Sequence, residues 1–189
     1  MTMSNERFLA VEGLDGVGKS TLVEQLRSTG YCVLSTPPDF FKGARTFFER
    51  ADLKLRFIYY LLGVMYVGKQ ANKIQTDHWV ISDRYLLTTL SAHEAMGLPQ
   101  EWLSLFEPLM ETIEKPGNTF LLVCDEGERA RRLLARGMND VDIKNTKINK
   151  QIMSGYFKWS QKLGYQLTAI DTTNLSPETT VQLIEEFRQ

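Results

Sequence analysis

Short β-rich apolar runs alternate along the chain with stretches whose apolar positions recur at helical spacing. Phe8 to Glu12 predicts a first strand, and Lys19 to Ser28, with Leu22 and Leu26 on one face, a helix behind it. Tyr31 to Leu34 predicts a second strand, ended by Pro37 and Pro38. Leu53 to Ile74 carries a long helical pattern, buried along one side. Trp79 to Ser82 reads as a third strand, Leu86 to Met96 as a helix closed near Gly97 and Pro99, and Gln100 to Ile113 as another helix. Thr119 to Val123 predicts a fourth strand, followed by a helix to about Arg136, a long helix from Thr146 to Leu163, and a fifth strand from Tyr165 to Ile170. A last helix starts near Ser176-Pro177-Glu178, where serine suits the cap and proline the first turn.

This alternation implies an α/β fold with a five-stranded, mostly parallel sheet and helices on both faces. Such sheets bind ligands beyond the carboxyl ends of their strands, so the segments that follow strands are where chemistry is expected. No repeat, low-complexity tract or Gly/Ser linker interrupts the 189 residues, and a single domain over 1–189 is expected.

Composition narrows the partners. A net charge of −1 argues against a nucleic-acid polymer, and positive charge is instead concentrated between Arg129 and Arg136. Cys32 and Cys124 stand in apolar, strand-like runs without a CxxC partner, so they read as small buried residues rather than a zinc site or disulfide. Met1 to Arg7 shows no secretory pattern, and the longest apolar run, Phe57 to Gly68, is too short for a bilayer. A cytoplasmic protein without membrane contact is expected.

The strongest motif is Gly13-Leu14-Asp15-Gly16-Val17-Gly18-Lys19-Ser20, which fits G-x-x-x-x-G-K-[ST] at every position between a predicted strand and a predicted helix. Its glycines let backbone N–H groups turn inward onto phosphates, and the following helix adds its positive end. Lys19 can reach the β- and γ-phosphates, and the Ser20 hydroxyl can bind Mg²⁺. Gly13, Asp15, Gly16, Val17, Gly18, Lys19, Ser20 and Thr21 form the expected ATP-binding set. GTPases, motors and small kinases all share this loop. No N-K-x-D segment reads a guanine, and Arg84 stands where a motor ATPase would place a catalytic glutamate.

Two further segments point to a small kinase. In Val80-Ile81-Ser82-Asp83-Arg84-Tyr85, Asp83 can hold Mg²⁺ or its waters and Arg84 can fork onto phosphate oxygens of the acceptor. In Glu128 to Gly137, Arg132 and Arg136 share a helix face, as the start of an arginine-bearing lid near 129–145 that excludes water and neutralises the transferred group. Arg129 and Arg131 are expected at the surface. Phosphate oxygens are already nucleophilic, so His78, His93 and Glu94 are assigned no catalytic role and no metal.

With these motifs in place the chain resembles the thymidylate kinase family of nucleoside monophosphate kinases. The resemblance rests on Glu12 to Leu22, Asp83-Arg84-Tyr85, Arg132, Arg136-Gly137 and the ending Ile170-Asp171-Thr172. It implies the P-loop kinase fold, ATP with Mg²⁺ as donor, a homodimer, Asp15 on the acceptor's sugar hydroxyl, and an adenine site near Asp171 to Asn174. The family's arginine motif after the second strand is replaced by Ser35-Thr36-Pro37-Pro38-Asp39, and Gly63 falls near the slot of the arginine that reads thymine. Pro37-Pro38, Arg45, Arg56, Tyr59-Tyr60-Leu61, Thr88-Thr89 and Arg136-Gly137-Met138 instead resemble the mitochondrial UMP-CMP kinase branch. That branch implies a pyrimidine nucleoside monophosphate as acceptor (UMP, CMP or a deoxy form), where the family at large implies dTMP. Arg45, Arg56 and Arg84 would lie near its phosphate, Tyr59 or Tyr60 on its base, and Thr88 nearby. The rival readings are a deoxynucleoside kinase, with Asp39 as its base, and a nucleotide-binding module without turnover.

Overall fold

The computed structural model describes residues 6–137 and 147–188. Met138 and Thr146, and the lid beyond Gly137, lie outside them. The strands are β1 (Phe8–Gly13), β2 (Cys32–Ser35), β3 (Val80–Asp83), β4 (Asn118–Val123) and β5 (Leu167–Asp171). They form one sheet in the order β2-β3-β1-β4-β5, with every pairing parallel. The expected α/β sheet is therefore present, with helices on both faces.

The helices are α1 (Lys19–Ser28), α2 (Lys42–Arg50), α3 (Leu53–Ile74), α4 (Leu86–Ala95), α5 (Gln100–Ser104), α6 (Glu107–Glu111), α7 (Glu126–Arg136), α8 (Asn149–Leu163) and α9 (Pro177–Glu185). The central strand β1 is buried along its whole length, and its alternation divides the core. Phe8 and Ala10 face a cluster built from α3, α4 and α8, around Phe57, Leu61, Leu86, Tyr156 and Trp159. Leu9 and Val11 face the other side, where Leu22 and Leu26 of α1 meet Val181 and Ile184 of α9. Val11 pairs with Asp83 and Gly13 with Leu122, so the carboxyl ends of β1, β3 and β4 open together.

Three departures from the pattern have physical causes. The helix expected over Gln100 to Ile113 is split into α5 and α6, because Pro108 has no N–H to continue a helix and instead occupies the first turn of α6. Tyr165 stays outside β5: Gly164, at φ 68°, closes α8, and the Tyr165 N–H returns to the Ser160 carbonyl. α2 is an addition to the expected elements: it is nine residues long and buries none of them fully, too short a stretch for a helical repeat to stand out. Cys32 and Cys124 are half-buried, both as free thiols.

Candidate active site

The turn after β1 is shaped by close approach. At Gly13, with φ 140°, a Cβ would stand 2.5 Å from the Leu122 carbonyl oxygen. Gly16, at φ 89°, lies under α7, where a Cβ would meet Leu133 at 2.9 Å. α1 then begins without a side-chain cap and with no acidic residue in its first turn. By contrast α3, α7 and α9 are capped by Asp52, Asp125 and Ser176. The N-terminal N–H groups of α1 are thus left to an anion. Lys19 is 6% exposed and donates to the Leu14 carbonyl, across the loop. Burial pulls its pKa down to about 7, the neighbouring Arg84 charge adding to the effect and the Asp15, Asp83 and Glu12 carboxylates opposing it.

Arg84 takes a left-handed backbone, φ 63°, unusual for a side chain of this size. Its guanidinium donates to the Gly13 carbonyl at 3.0 Å and to Asp15 Oδ1 at 2.5 Å. The turn is fixed from below by Glu12, which is fully buried at the end of β1. Glu12 Oε1 accepts from the N–H groups of Tyr85, at 3.0 Å, and Thr88, at 3.1 Å, and Oε2 accepts from the Thr88 hydroxyl. Since Thr88 gives its proton to Glu12, the Tyr156 hydroxyl at 2.8 Å donates to Thr88. Burial pushes the Glu12 pKa up, and the Thr88 and Tyr85 donors and the Arg84 charge oppose that rise. A buried carboxylate therefore caps α4 and sets Arg84 against the loop.

α7 presents three arginines differently. Arg129, expected at the surface, is 3% exposed: it shares the buried face with Leu133, clasps Glu126 at 2.5 and 2.9 Å, and donates to the Asp15 carbonyl at 3.1 Å. The i, i+4 spacing to Leu133 was the available signal. Arg131 is exposed, as expected, and pairs with Glu128. Arg132 also pairs with Glu128, at 2.7 Å, and donates to the Thr172 carbonyl at 2.8 Å, while the Thr172 hydroxyl donates to the Val17 carbonyl at 2.9 Å. Phosphate loop, α7 and the turn after β5 are thereby tied together. Arg136 is exposed at the edge of the same cleft.

One cleft of about 1120 Å³ gathers most of the expected residues: Gly13, Asp15, Gly16, Gly18, Lys19, Ser20, Thr21, Arg45, Arg56, Tyr60, Asp83, Arg84, Thr88, Arg132 and Arg136. Ordinary small-molecule pockets hold roughly 300–1,000 Å³. Two residues of the expected set do not line it. Val17 is buried with its side chain in the core, contributing backbone alone. Tyr59 is corrected: one position from Tyr60 turns it about 100° around the helix, so it stacks on Phe48 at 4.6 Å and donates to the Phe41 carbonyl at 2.8 Å. Tyr60 lines the cleft and donates to Glu49, which also accepts from Arg45 at 2.7 Å. The cleft is completed by Thr36, Lys42, Met96, His93 and, from α8, Asn149, Ile152 and Tyr156, none of them singled out by pattern. Gly63 is buried beneath the prolines: a Cβ there would stand 3.3 Å from Pro38 Cδ and 3.4 Å from Pro37 Cα. The loss of a side chain at 63 and the proline pair after β2 are thus one packing solution.

Ser20 and Asp83 line the phosphate-loop end of the cleft. Among the described residues no group of three His, Cys, Asp or Glu side chains could hold a metal alone. No helix among the described residues is long and apolar enough to cross a membrane.

A parallel sheet and a phosphate loop whose lysine shares one cleft with Arg45, Arg56, Arg84 and Arg132 mark a P-loop phosphotransferase. Residues 11–184 match the family model of thymidylate kinase. The chain belongs to that family, and so to the nucleoside monophosphate kinases that use ATP as phosphoryl donor. It is 26% identical over 188 residues to the probable thymidylate kinase of Sulfurisphaera tokodaii, covering 94% of this chain and 95% of that protein. It is 25% identical over 172 residues to that of Caldivirga maquilingensis, covering 84% and 82%. In fold it is similar to thymidylate kinase from Candida albicans, with a TM-score of 0.77 at 16% identity, covering 95% of this chain and 89% of that one. Deoxyadenosine kinase from M. mycoides gives 0.70 at 18%, covering 95% and 97%.

Proposed function

We propose that this kinase transfers the γ-phosphoryl group of ATP to a pyrimidine nucleoside monophosphate, in the manner of the UMP-CMP branch. The observation that carries this is one cleft lined by Lys19 and Arg84 of the phosphate-loop region together with Arg45 and Arg56. In this reading the loop backbone and the α1 N-terminus hold the donor's phosphates, with Ser20 and Asp83 as the Mg²⁺ side. The ion would neutralise donor phosphate charge. Lys19, Arg132 and Arg136 balance the charge of the moving group, Arg84 grips the acceptor phosphate, and Asp15, beside it, faces the acceptor sugar. Thr172 to Asn174 border the adenine. Tyr60 packs on the acceptor base. Two dianionic partners held in line need little more than alignment and neutralisation. Gly63 and Pro37-Pro38 favour a reader of the base other than the thymine pattern of the family.

A panel of natural monophosphates and nucleosides with ATP and Mg²⁺ tests this. Phosphoryl transfer to pyrimidine monophosphates, giving the diphosphates, should be at least ~10²-fold more efficient than transfer to purine monophosphates or to nucleosides. Phosphorylation of nucleosides alone would replace this reading with a nucleoside kinase.

A cytoplasmic homodimer is part of the same proposal. Leu55, Leu62 and Tyr66 form an exposed stripe on α3, 39–50% accessible, flanked by Phe40 and Phe47. A second copy seated there would cover it. Light scattering should return twice the 21.7 kDa chain mass, and Leu62→Glu should return the monomer. An unaltered mass in the variant would place the contact elsewhere.

A further inference from the structure

Three buried polar atoms without a hydrogen-bond partner among the described residues belong to side chains that line the acceptor end of the cleft: Thr36 Oγ1, Arg56 Nε and His93 Nε2. Leaving such atoms unmade is costly, and in a substrate site it marks what the ligand must supply. His93 is 3% exposed on α4. Its Nδ1 lies 2.7 Å from the Thr89 carbonyl, and a carbonyl only accepts, so Nδ1 carries the proton. Burial holds the ring's pKa down at about 4, with the Arg56 charge nearby lowering it further, so the ring is neutral near pH 7. Nε2 is therefore a bare acceptor. The Tyr60 ring lies 5.5 Å from the His93 ring and 5.9 Å from the Arg56 guanidinium. A bare acceptor and a guanidinium with a bare donor thus lie beside one aromatic ring.

We propose that His93 and Arg56 read the acceptor's base, and that the base they fit is cytosine. This rests on the reading of the cleft as a monophosphate kinase site. Cytosine presents, in a row, an exocyclic N–H donor and two adjacent acceptors, N3 and O2. The Arg56 fork matches the adjacent acceptors, and His93 Nε2 accepts from the exocyclic amine. Uracil and thymine reverse the first two positions. Their N3–H would point at the guanidinium and their O4 lone pair at the His93 lone pair. The Thr36 hydroxyl donates or accepts and so adds no preference.

Calorimetric titration of the intact protein with CMP, dCMP, UMP and dTMP decides the matter without requiring turnover. Cytidylates should bind at least ~10-fold more tightly than the other two. Equal or inverted affinities would overturn the inference. His93→Leu should erase the preference, and His93→Gln, whose amide oxygen can accept, should keep most of it. A Leu variant that melts like the wild type yet still prefers cytosine would remove His93 as the reader. Diphosphate formation is scored separately. Selective cytidylate binding without transfer would sink the kinase reading and leave this one standing. Transfer to all pyrimidines without discrimination would do the opposite.

Discussion

Lys19→Ala should cut phosphoryl transfer by about 10³-fold while the protein folds as before. The amine stands inside the loop that the α1 N-terminus closes, and it is the loop's only side-chain cation. Its pKa is pulled down to about 7 by burial, with the Arg84 charge adding to the effect. Removing it therefore takes away an interaction that is realised only when donor phosphates arrive, and leaves no buried partner unmet except the Leu14 carbonyl. Thermal stability should stay level or rise, because a poorly solvated cation is gone. The loss should fall on kcat more than on the KM for ATP, since the backbone N–H groups still bind the donor. Steady-state kinetics with melting curves checks both halves. Turnover above a tenth of wild type would remove Lys19 from the transfer step.

Much of this site was legible because it is local in sequence. The phosphate loop and Asp83-Arg84-Tyr85 each occupy a few consecutive residues after a strand, and parallel pairing of β1 with β3 brings their ends together. Burial of both faces made β1, β3 and β4 readable as apolar runs. The rest of the cleft was harder to read, because it draws single residues from the turn after β2 and from α2, α3, α4 and α8. Nothing in periodicity distinguishes Tyr59 from Tyr60, or a histidine that caps nothing from one with a free lone pair. Arg129 shows the same limit. Its charge suggested solvent, but the Asp15 carbonyl and Glu126 satisfied it inside. Whether Gly63 was a lost contact or a packing choice depended on where Pro37 and Pro38 fold, distant in sequence but close enough that a Cβ at Gly63 would press on them.

Arg84→Ala should raise the KM for the acceptor by about 10²-fold and leave the KM for ATP within a few-fold. The guanidinium is bonded to the Gly13 carbonyl and to Asp15, and the proposed reading gives it the acceptor's phosphate. Its strained backbone persists because Glu12 holds the following turn through Tyr85 and Thr88. An alanine keeps that turn's hydrogen bonds and removes only the fork, so the protein should still melt cooperatively. Glu12→Gln approaches the same contact from below. It keeps an oxygen for the two N–H groups but puts an amide where the Thr88 hydroxyl now donates, and it removes the negative charge facing Arg84. Its effect should have the same sign, fall again on the acceptor, and be smaller than that of Arg84→Ala. Combining the two should add little, because both act through one guanidinium. If Arg84→Ala raised the ATP and acceptor requirements alike, the guanidinium would belong to the donor. If Glu12→Gln then weakened ATP instead, the buried carboxylate would be shaping the loop itself rather than aiming Arg84.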